Sequence, residues 1–584
     1  RPALSQRYVA PRTPTEQALA QVWQEVLNLD RVGVNDNFYE LGGDSILTLR
    51  VLSALEDRLL DLPLADLLAG KTLAELAADS LRPLDSRQPG SAPPQASGQP
   101  LSDVTEQAFP GPDYPATPLQ LGMLAAGEEF YHDVSTYHVR LPLQAIDLLA
   151  VLYSVTRRHP TLRTWFDVGA LPPMARVAPD IPPDVTMVGE PLPAEPHLRD
   201  NALAQFRAGE SRASFDHGRA PLIRFFAHSC PGAGDFYLTL SFHHAILDGW
   251  SSVRLIDEIT SRYSARLAGN PVSAIAPAPH LMPRYAAAVR AAEQSPRALT
   301  FWQESARRAR KASHAAAPGG GAFATASGHL DAQTVRGLEQ EAARLRCGVR
   351  ILLLAILSKT ILATSPDDAV TVGVITHGRP VAADSDHALG LFLNTIPITV
   401  DSGADGVAEF VAAIQREETR SREFGDYPYA RIRKLLGGDP PYSFNYTSFG
   451  AAIEREDPAF DSAGFHERTD LPVLVSVAHG RDTSVMRVRV AISSAASPDQ
   501  AEQLLAGYKA TLAGAVRSPE PPGGSGTLAP AEPAAGREVL GLAGVVGDVS
   551  GLVPVHVLVE EQVDACPDAV AVRCGDEWVS YAGL

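Results

Sequence analysis

Ser241-Phe242-His243-His244-Ala245-Ile246-Leu247-Asp248-Gly249-Trp250-Ser251 is the stretch on which the fold and the chemistry of this chain turn. It continues Phe236-Tyr237-Leu238-Thr239-Leu240, an apolar and aromatic run that predicts a half-buried β-strand. Beyond it, Ser251-Ser252 is suited to cap a helix whose apolar positions include Val253, Ile256, Ile259 and Tyr263. Two adjacent imidazoles, a carboxylate four residues after the second and a turn glycine therefore stand between strand and helix. Side chains at such a junction can face a cleft without opening a core, and binding and catalytic groups concentrate there.

Composition limits what this corner serves. A chain of 584 residues, 45% hydrophobic and 20% charged, predicts several globular domains, each able to bury a core. A net charge of -18 without a basic cluster argues against nucleic acid and anionic membrane as partners. No apolar run approaches the roughly 20 residues of a membrane helix. The opening Arg1-Pro2-Ala3-Leu4-Ser5 lacks the pattern of a secretory signal, so a cytoplasmic location is expected. Cys230, Cys347, Cys566 and Cys574 have no metal-ligand spacing and are expected to be reduced packing residues.

Upstream of the corner, residues 1–80 predict a small helical domain. Thr13-Pro14-Thr15-Glu16 is a capping box with proline at the first helical position, and Leu19, Val22, Trp23, Val26 and Leu27 share one face of the helix it opens. Asn37-Phe38-Tyr39-Glu40-Leu41-Gly42-Gly43-Asp44-Ser45-Ile46-Leu47 follows, where the glycines permit a tight turn and Asp44 or Ser45 caps a second helix through Leu49, Leu52, Leu55 and Leu59. Residues 81–112 are linker by composition. Their proline-rich part favours extended geometry at about 3.1 Å per residue, giving some thirty residues a reach of up to roughly 90 Å.

Phe38-Tyr39-Glu40-Leu41-Gly42-Gly43-Asp44-Ser45-Ile46 resembles the signature of the peptidyl carrier proteins of nonribosomal peptide synthetases. That resemblance implies a four-helix-bundle carrier domain over 1–80, with 4'-phosphopantetheine held covalently on Ser45 and Asp44 aiding recognition by a phosphopantetheinyl transferase. Further along, Tyr114-Pro115-Ala116-Thr117-Pro118-Leu119-Gln120-Leu121-Gly122-Met123-Leu124, Arg158 to Phe166, Phe215-Asp216, Pro221 to Arg224, the histidine corner, Thr371 to Pro380 and Gly390 to Pro397 resemble, in the same order, the motifs of condensation domains. The resemblance covers about 113–520 and implies an α/β two-lobed fold similar to chloramphenicol acetyltransferase, with an N lobe over 113–290, a C lobe over 291–520 and a tunnel between them. Two departures stand out. Glu423-Phe424-Gly425-Asp426-Tyr427-Pro428-Tyr429 stands where the family pairs histidine with proline-leucine, and His377 precedes Gly378-Arg379-Pro380 where the family has a small residue. Residues 521–550 are expected to be a second linker. Val559-Glu560-Glu561-Gln562-Val563, Pro567 to Val572 and Trp578-Val579-Ser580-Tyr581 then resemble the start of an adenylation domain over 551–584, truncated before its phosphate loop, as in a piece of a longer assembly line.

The resemblance implies amide-bond formation between an upstream acyl thioester and the α-amine of a downstream aminoacyl thioester. An α-amine has a pKa of roughly 7.7 to 8.0 and histidine of roughly 6.5, so a neutral imidazole is able to accept or orient the amine's proton at pH 7. His244 is the candidate for that role, and the backbone N–H of Gly249 for contact with the tetrahedral oxyanion. Asp248 reads as structural, paired with Arg379; His243 reads as a buried orienting residue. Asn394 either hydrogen-bonds in the tunnel or caps a loop, and His132 and His138 read as surface residues. No metal is expected, because adjacent histidines point to opposite sides of a strand. The implied partners are upstream and downstream carrier and adenylation domains and their aminoacyl and peptidyl thioesters. Alternatives sharing the fold are an epimerisation-type domain and a catalytically idle recruiting domain; the adenylation start disfavours the first and the intact corner the second. Pro118 to Leu124 and the corner also resemble the subclass taking a D-configured donor, yet no epimerisation domain precedes it, and an achiral glycine at the donor carboxyl end reconciles the two. The product class expected is a siderophore, which no motif of the chain specifies.

Overall fold

A computed structural model describes residues 8–83, 111–517, 570–574 and 577–580 apart from short internal stretches, among them 39–40, 42, 44, 127–129, 381–384 and 449–458. The chain forms two compact units, Arg1–Ala534 and Ala535–Leu584.

In the N-terminal region, α1 (Pro14–Leu27), α2 (Ser45–Glu56), β1 (Leu60–Asp61), α3 (Leu73–Asp79) and β2 (Arg82–Pro83) follow in order. The capping box forms: Glu16 N donates to Thr13 Oγ1 at 3.1 Å and Thr13 N to Glu16 Oε2 at 3.0 Å. Leu19, Val22 and Trp23 of α1 are buried with Phe38, Val51, Leu55, Leu73 and Leu76, and Trp23 meets Phe38 with ring centroids 5.3 Å apart. Only glycine fits at 43, where a Cβ would lie 2.4 Å from the Phe38 ring. That tight approach brings the chain to the first residue of α2, Ser45. The side chain of Ser45, all of Asp44 and the linker over 84–110 lie outside the described residues.

The first lobe comprises β3 (Tyr114–Pro115), α4 (Pro118–Ala125), β4 (His132–Val139), α5 (Ala145–Arg158), β5 (Thr164–Asp167), β6 (Met174–Val177), β7 (Asp184–Val188), α6 (Pro196–Glu210), β8 (Ile223–Ser229), β9 (Phe236–His243), α7 (Gly249–Leu267) and α8 (Met282–Glu293). Its main sheet runs from Phe460–His466 through β4, β9 and β8 to β7, and a three-stranded sheet orders β3, β6 and β5. The strand before the corner is buried at all eight positions rather than half-buried. It is the central strand of five, so its polar residues are enclosed too, and Thr239 and Ser241 take hydroxyl or imidazole partners from β4 and β8.

The second lobe comprises α9 (Pro296–Ala312), β10 (Ala324–Leu330), α10 (Ala332–Arg344), α11 (Val349–Thr364), β11 (Ala369–His377), β12 (Leu393–Asp401), α12 (Val407–Arg422), α13 (Tyr429–Leu436), β13 (Tyr442–Ser448), β14 (Phe460–His466), β15 (Val473–His479), β16 (Met486–Ile492) and α14 (Pro498–Arg517). Its six-stranded sheet has the order β10-β16-β15-β13-β11-β12, and α11 is buried along its middle, from Leu352 to Leu357, in that lobe's core. A single division at 290 and 291 misses two excursions. Strand β14 pairs antiparallel with β4 in the first lobe's sheet, and Ala388, Leu389, Leu391 and Phe392 belong to the first lobe's core. Both segments find on the first lobe an open sheet edge or an apolar surface, which outweighs their place in the chain.

In the second unit, β17 (Val570–Cys574) and β18 (Glu577–Ser580) pair antiparallel; the rest of the expected linker and adenylation start falls outside the described residues.

Candidate active site

Strand β9 ends at His243, the chain turns through Ala245 to Leu247, and α7 begins at Gly249. The helix cap is Asp248, not Ser251 or Ser252 as the sequence suggests: its carboxylate accepts from Ser251 N at 2.8 Å. Ser251 is released for tertiary bonds. Within Ser241–Trp250 every residue is buried except His244 and Gly249, so the two candidates for contact with reacting groups are the two that retain solvent access.

The imidazoles are held in opposite ways. His243 is 5% exposed; its Nδ1 accepts from Ala245 N at 3.1 Å, and its ring meets His217 edge-on at 4.6 Å. Burial, helped by His217, His244 and His132, pushes its pKa down to about 3, so it is a neutral fixed ring. His244 Nδ1 lies 2.7 Å from Leu247 O and 3.2 Å from Asp133 Oδ2. A carbonyl oxygen only accepts, so Nδ1 carries the hydrogen and the neutral ring presents its lone pair on Nε2. Burial opposes the charged form of His244, but Asp133, with Glu467, Leu247 O and Asp248 acting in the same sense, raises its pKa above 6.5. Burial also pushes the Asp133 carboxyl up to about 7. The two form one proton-holding pair.

Asp248 ties the lobes together. Arg379, just beyond β11, donates through Nη2 to both Asp248 oxygens at 3.3 Å and to Ser251 Oγ at 3.2 Å. Its Nη1 donates to Ser385 O at 3.2 Å and to Ala388 O, and its guanidinium stands 4.3 Å above the Phe392 ring. Asp248 Oδ2 also accepts from Phe392 N at 3.2 Å, while Asp248 N donates to Gly390 O at 3.0 Å. Ser251 Oγ completes the knot, donating to Gly390 O at 3.0 Å and accepting from Gly390 N at 3.1 Å. A Cβ at 390 would lie 2.6 Å from Met282 Sδ, so glycine permits this approach. Every acceptor of the buried pair is satisfied by more than one donor, as an enclosed charge requires.

Asn394 is placed away from this knot. Its Nδ2 donates to Gly425 O at 2.6 Å and Tyr427 O at 2.9 Å, and its Oδ1 accepts from Tyr429 N at 3.0 Å. All three bonds fasten the segment that departs from the family pattern onto β12, which makes Asn394 a loop clamp. Asn394→Ala is expected to cost about 1 to 3 kcal/mol of stability, since it orphans buried backbone groups. Denaturant unfolding measures it, and an unchanged midpoint would remove the clamp.

Several site residues escape the sequence. Tyr131 stacks on His244 at 6.4 Å, accepts from His244 N at 2.7 Å through its carbonyl, and donates its hydroxyl to Asp470. Asp133 and Glu467 reach the corner through the pairing of β4 with β9 and β14. The residue pair His132-Asp133 is the one local signal, but His132, expected at the surface, is buried and bonds Ser241 Oγ at 2.8 Å. It lies on an interior strand, where a histidine is kept by its hydrogen bond. His138, at the other end of β4, is part-exposed and bonds Asp235. Among the described residues no group of three or more His, Cys, Asp or Glu is arranged to hold a metal ion, Cys230 and Cys347 are buried free thiols, and no helix is long and apolar enough to cross a membrane.

Comparison with known proteins assigns these parts. Residues 112–446 match the family model of the condensation domain, and residues 17–79 that of the phosphopantetheine attachment site. The AMB antimetabolite synthetase AmbE of Pseudomonas aeruginosa is 32% identical over 457 residues, covering 74% of this chain and 21% of that protein. Malpibaldin synthetase of Mortierella alpina is 26% identical over 459 residues, covering 76% of this chain and 8% of that protein. The chain thus spans about a fifth or less of the length of these relatives. Among solved structures, the first condensation domain of the calcium-dependent antibiotic synthetase in complex with a substrate analogue is 16% identical, covers 71% of this chain and 98% of that one, and superposes with a TM-score of 0.60, a likeness of fold.

Proposed function

Because this chain belongs to the condensation-domain family and carries a phosphopantetheine attachment domain before it, we propose that it forms an amide bond between two carrier-bound substrates of a nonribosomal peptide synthetase. The observation that carries this reading is His244, solvent-accessible at an otherwise buried corner, with Nδ1 engaged by Leu247 O and Asp133.

In this reading the α-amine of an aminoacyl thioester attacks the carbonyl carbon of an acyl thioester. A C–N bond forms, the C–S bond breaks, the amine gives up a proton and the departing thiolate takes one. Nε2 of His244 accepts the amine's hydrogen bond and takes its proton. The N–H of Gly249, at the first turn of α7, faces developing negative charge with the favourable sign of a helix N-terminus. His243 holds the turn as a neutral ring, and the Asp248–Arg379 knot keeps the corner against the second lobe. Rate comes from alignment as much as from proton transfer, because the thioester is already activated.

Ser45 is the proposed attachment residue. It opens α2 after the tight Gly43 turn, and a helix start suits a phosphodiester. The attached group would supply the thioester tether and the thiol that leaves. Asp44 is assigned to recognition by the phosphopantetheinyl transferase. Ser45→Ala is expected to abolish loading by a phosphopantetheinyl transferase, read by intact-protein mass spectrometry; a full phosphopantetheinyl mass increment on that variant would move the site elsewhere. Upstream and downstream carrier and adenylation domains, a cytoplasmic location and the absence of nucleic-acid or membrane partners complete the reading, supported by a net charge of -18. Donor choice is testable in the same system. With an aminoacyl carrier supplied as acceptor, glycine-terminated donors loaded on the chain are expected to give amide products by mass spectrometry, and acceptance of D-configured donors with glycine refused would overturn the glycine assignment.

A further inference from the structure

We infer that Asp133 is a positioning residue for the condensation reaction: with the Nδ1 hydrogen of His244 already directed to Leu247 O, its carboxylate beside Nδ1 holds the ring in the orientation in which Nε2 takes the amine proton. The inference rests on the assignment of His244 above and extends it to a residue outside the histidine motif.

Three observations carry it. The first is contact: Asp133 Oδ2 is 3.2 Å from His244 Nδ1, and the two side chains are 14% and 13% exposed. The second is that this carboxylate is poorly satisfied without the imidazole. Asp133 Oδ1 is buried with no hydrogen-bond partner among the described residues, whereas the carboxylate of Asp248 is shared among Ser251, Phe392 and Arg379. An enclosed carboxylate oxygen left unpaired costs stability, so an acid kept only for packing would be replaced by a neutral residue without loss. The third is that the backbone beside it is strained toward the same end. Tyr131, two residues before Asp133, has φ 59° in the left-handed region, a conformation that costs a bulky residue about 1 to 3 kcal/mol. Its carbonyl takes His244 N, its ring stacks on the imidazole, its hydroxyl binds Asp470 and its own N–H donates to Arg468 O at 3.0 Å. Backbone and side chains of 131–133 converge on one ring.

The charges facing the pair are few. Asp133 faces His244, Glu467 from the segment joining β14 to β15, and Arg489 of β16, which favours its charged form and also bonds Glu467 at 3.1 Å. His244 meets Asp133, Glu467 and Asp248, with the neutral His243 beside it in sequence. The signs give the expected effect. The negative charge of Asp133 favours protonated His244, so removing it lowers the pKa of His244; the limb of the rate profile that rises with pH moves to lower pH, and the imidazole becomes a weaker proton acceptor above that limb.

The test uses the whole chain and the variants Asp133→Asn and Asp133→Glu. Histidine labelled with 13C at Cε1, assigned with His244→Gln, reports the pKa of His244 without substrate. Asp133→Asn is expected to lower it by about 1 unit or more. In amide formation from an acyl-loaded carrier and aminoacyl-pantetheine acceptors, Asp133→Asn is expected to shift the rising limb equally, to lower the plateau rate about tenfold with the acceptor KM little changed, and Asp133→Glu to recover part of the rate. An unmoved His244 titration in a folded Asp133→Asn chain, or a plateau rate equal to wild type, would overturn the role of Asp133. Full activity of His244→Gln would overturn the assignment of His244 instead, which keeps the two failures distinct.

Discussion

His244→Ala is expected to lower the rate of amide formation about 10²- to 10⁴-fold, the usual contribution of a positioned general base, while the protein remains folded. The residual rate comes from holding two tethered reactants together, which the substitution leaves in place. Folding survives because the ring is replaced at a solvent-accessible position, and because burial already pushes the Asp133 carboxyl up to about 7, so that it takes a proton readily when the imidazole is gone. Single-turnover kinetics on the acyl-loaded chain measure the loss, and near-UV circular dichroism checks the fold. Wild-type turnover in this variant would remove His244 from the chemistry. In the unsubstituted chain the rate is expected to rise with pH through an ionisation above 6.5, because the Asp133 charge favours protonated His244 and only the neutral ring accepts the amine's proton.

The second large effect belongs to the buried ion pair. Arg379→Ala leaves Asp248 enclosed without its cation, and Asp248→Asn leaves Arg379 enclosed without its anion; each is expected to cost about 3 to 5 kcal/mol. The side chains of the pair are 2% and 3% exposed, so water does not replace the lost partner. The loss also spreads. Arg379 holds Ser385 O and Ala388 O, and Asp248 holds Phe392 N, so the segment that crosses into the first lobe's core loosens with either substitution. Thermal melting is expected to fall by several degrees and activity to fall with it. A variant with an unchanged melting temperature and no activity would make Asp248 or Arg379 a participant in the reaction rather than its support.

Much of this was legible in local sequence. The capping box at Thr13 and Glu16, the strand ending at the histidines and the helix after Gly249 each depend on spacing and residue type over a few positions, and such patterns survive translation into structure. Asp248 with Arg379 was legible only through the resemblance to condensation domains. Nothing within either segment indicates the other, yet the structure places them 3.3 Å apart.

What tertiary structure alone decided lies across sheets and lobes. Strand β9 turned out buried at every position because β4 and β8 flank it, and no alternation along its own residues reveals how many strands lie on each side. Ser251 became a junction between lobes because Asp248 had taken the cap. Asp133, Tyr131 and Glu467 surround His244 because antiparallel pairing brings the start of β4 beside the end of β9 and the end of β14 beside β4. Local sequence thus determined the turn between strand and helix that carries the two histidines, and the resemblance to condensation domains singled out His244 within it. The long-range pairing of strands determined the charge and the stacking that the residue feels, since those depend on distances through space that sequence separation does not encode.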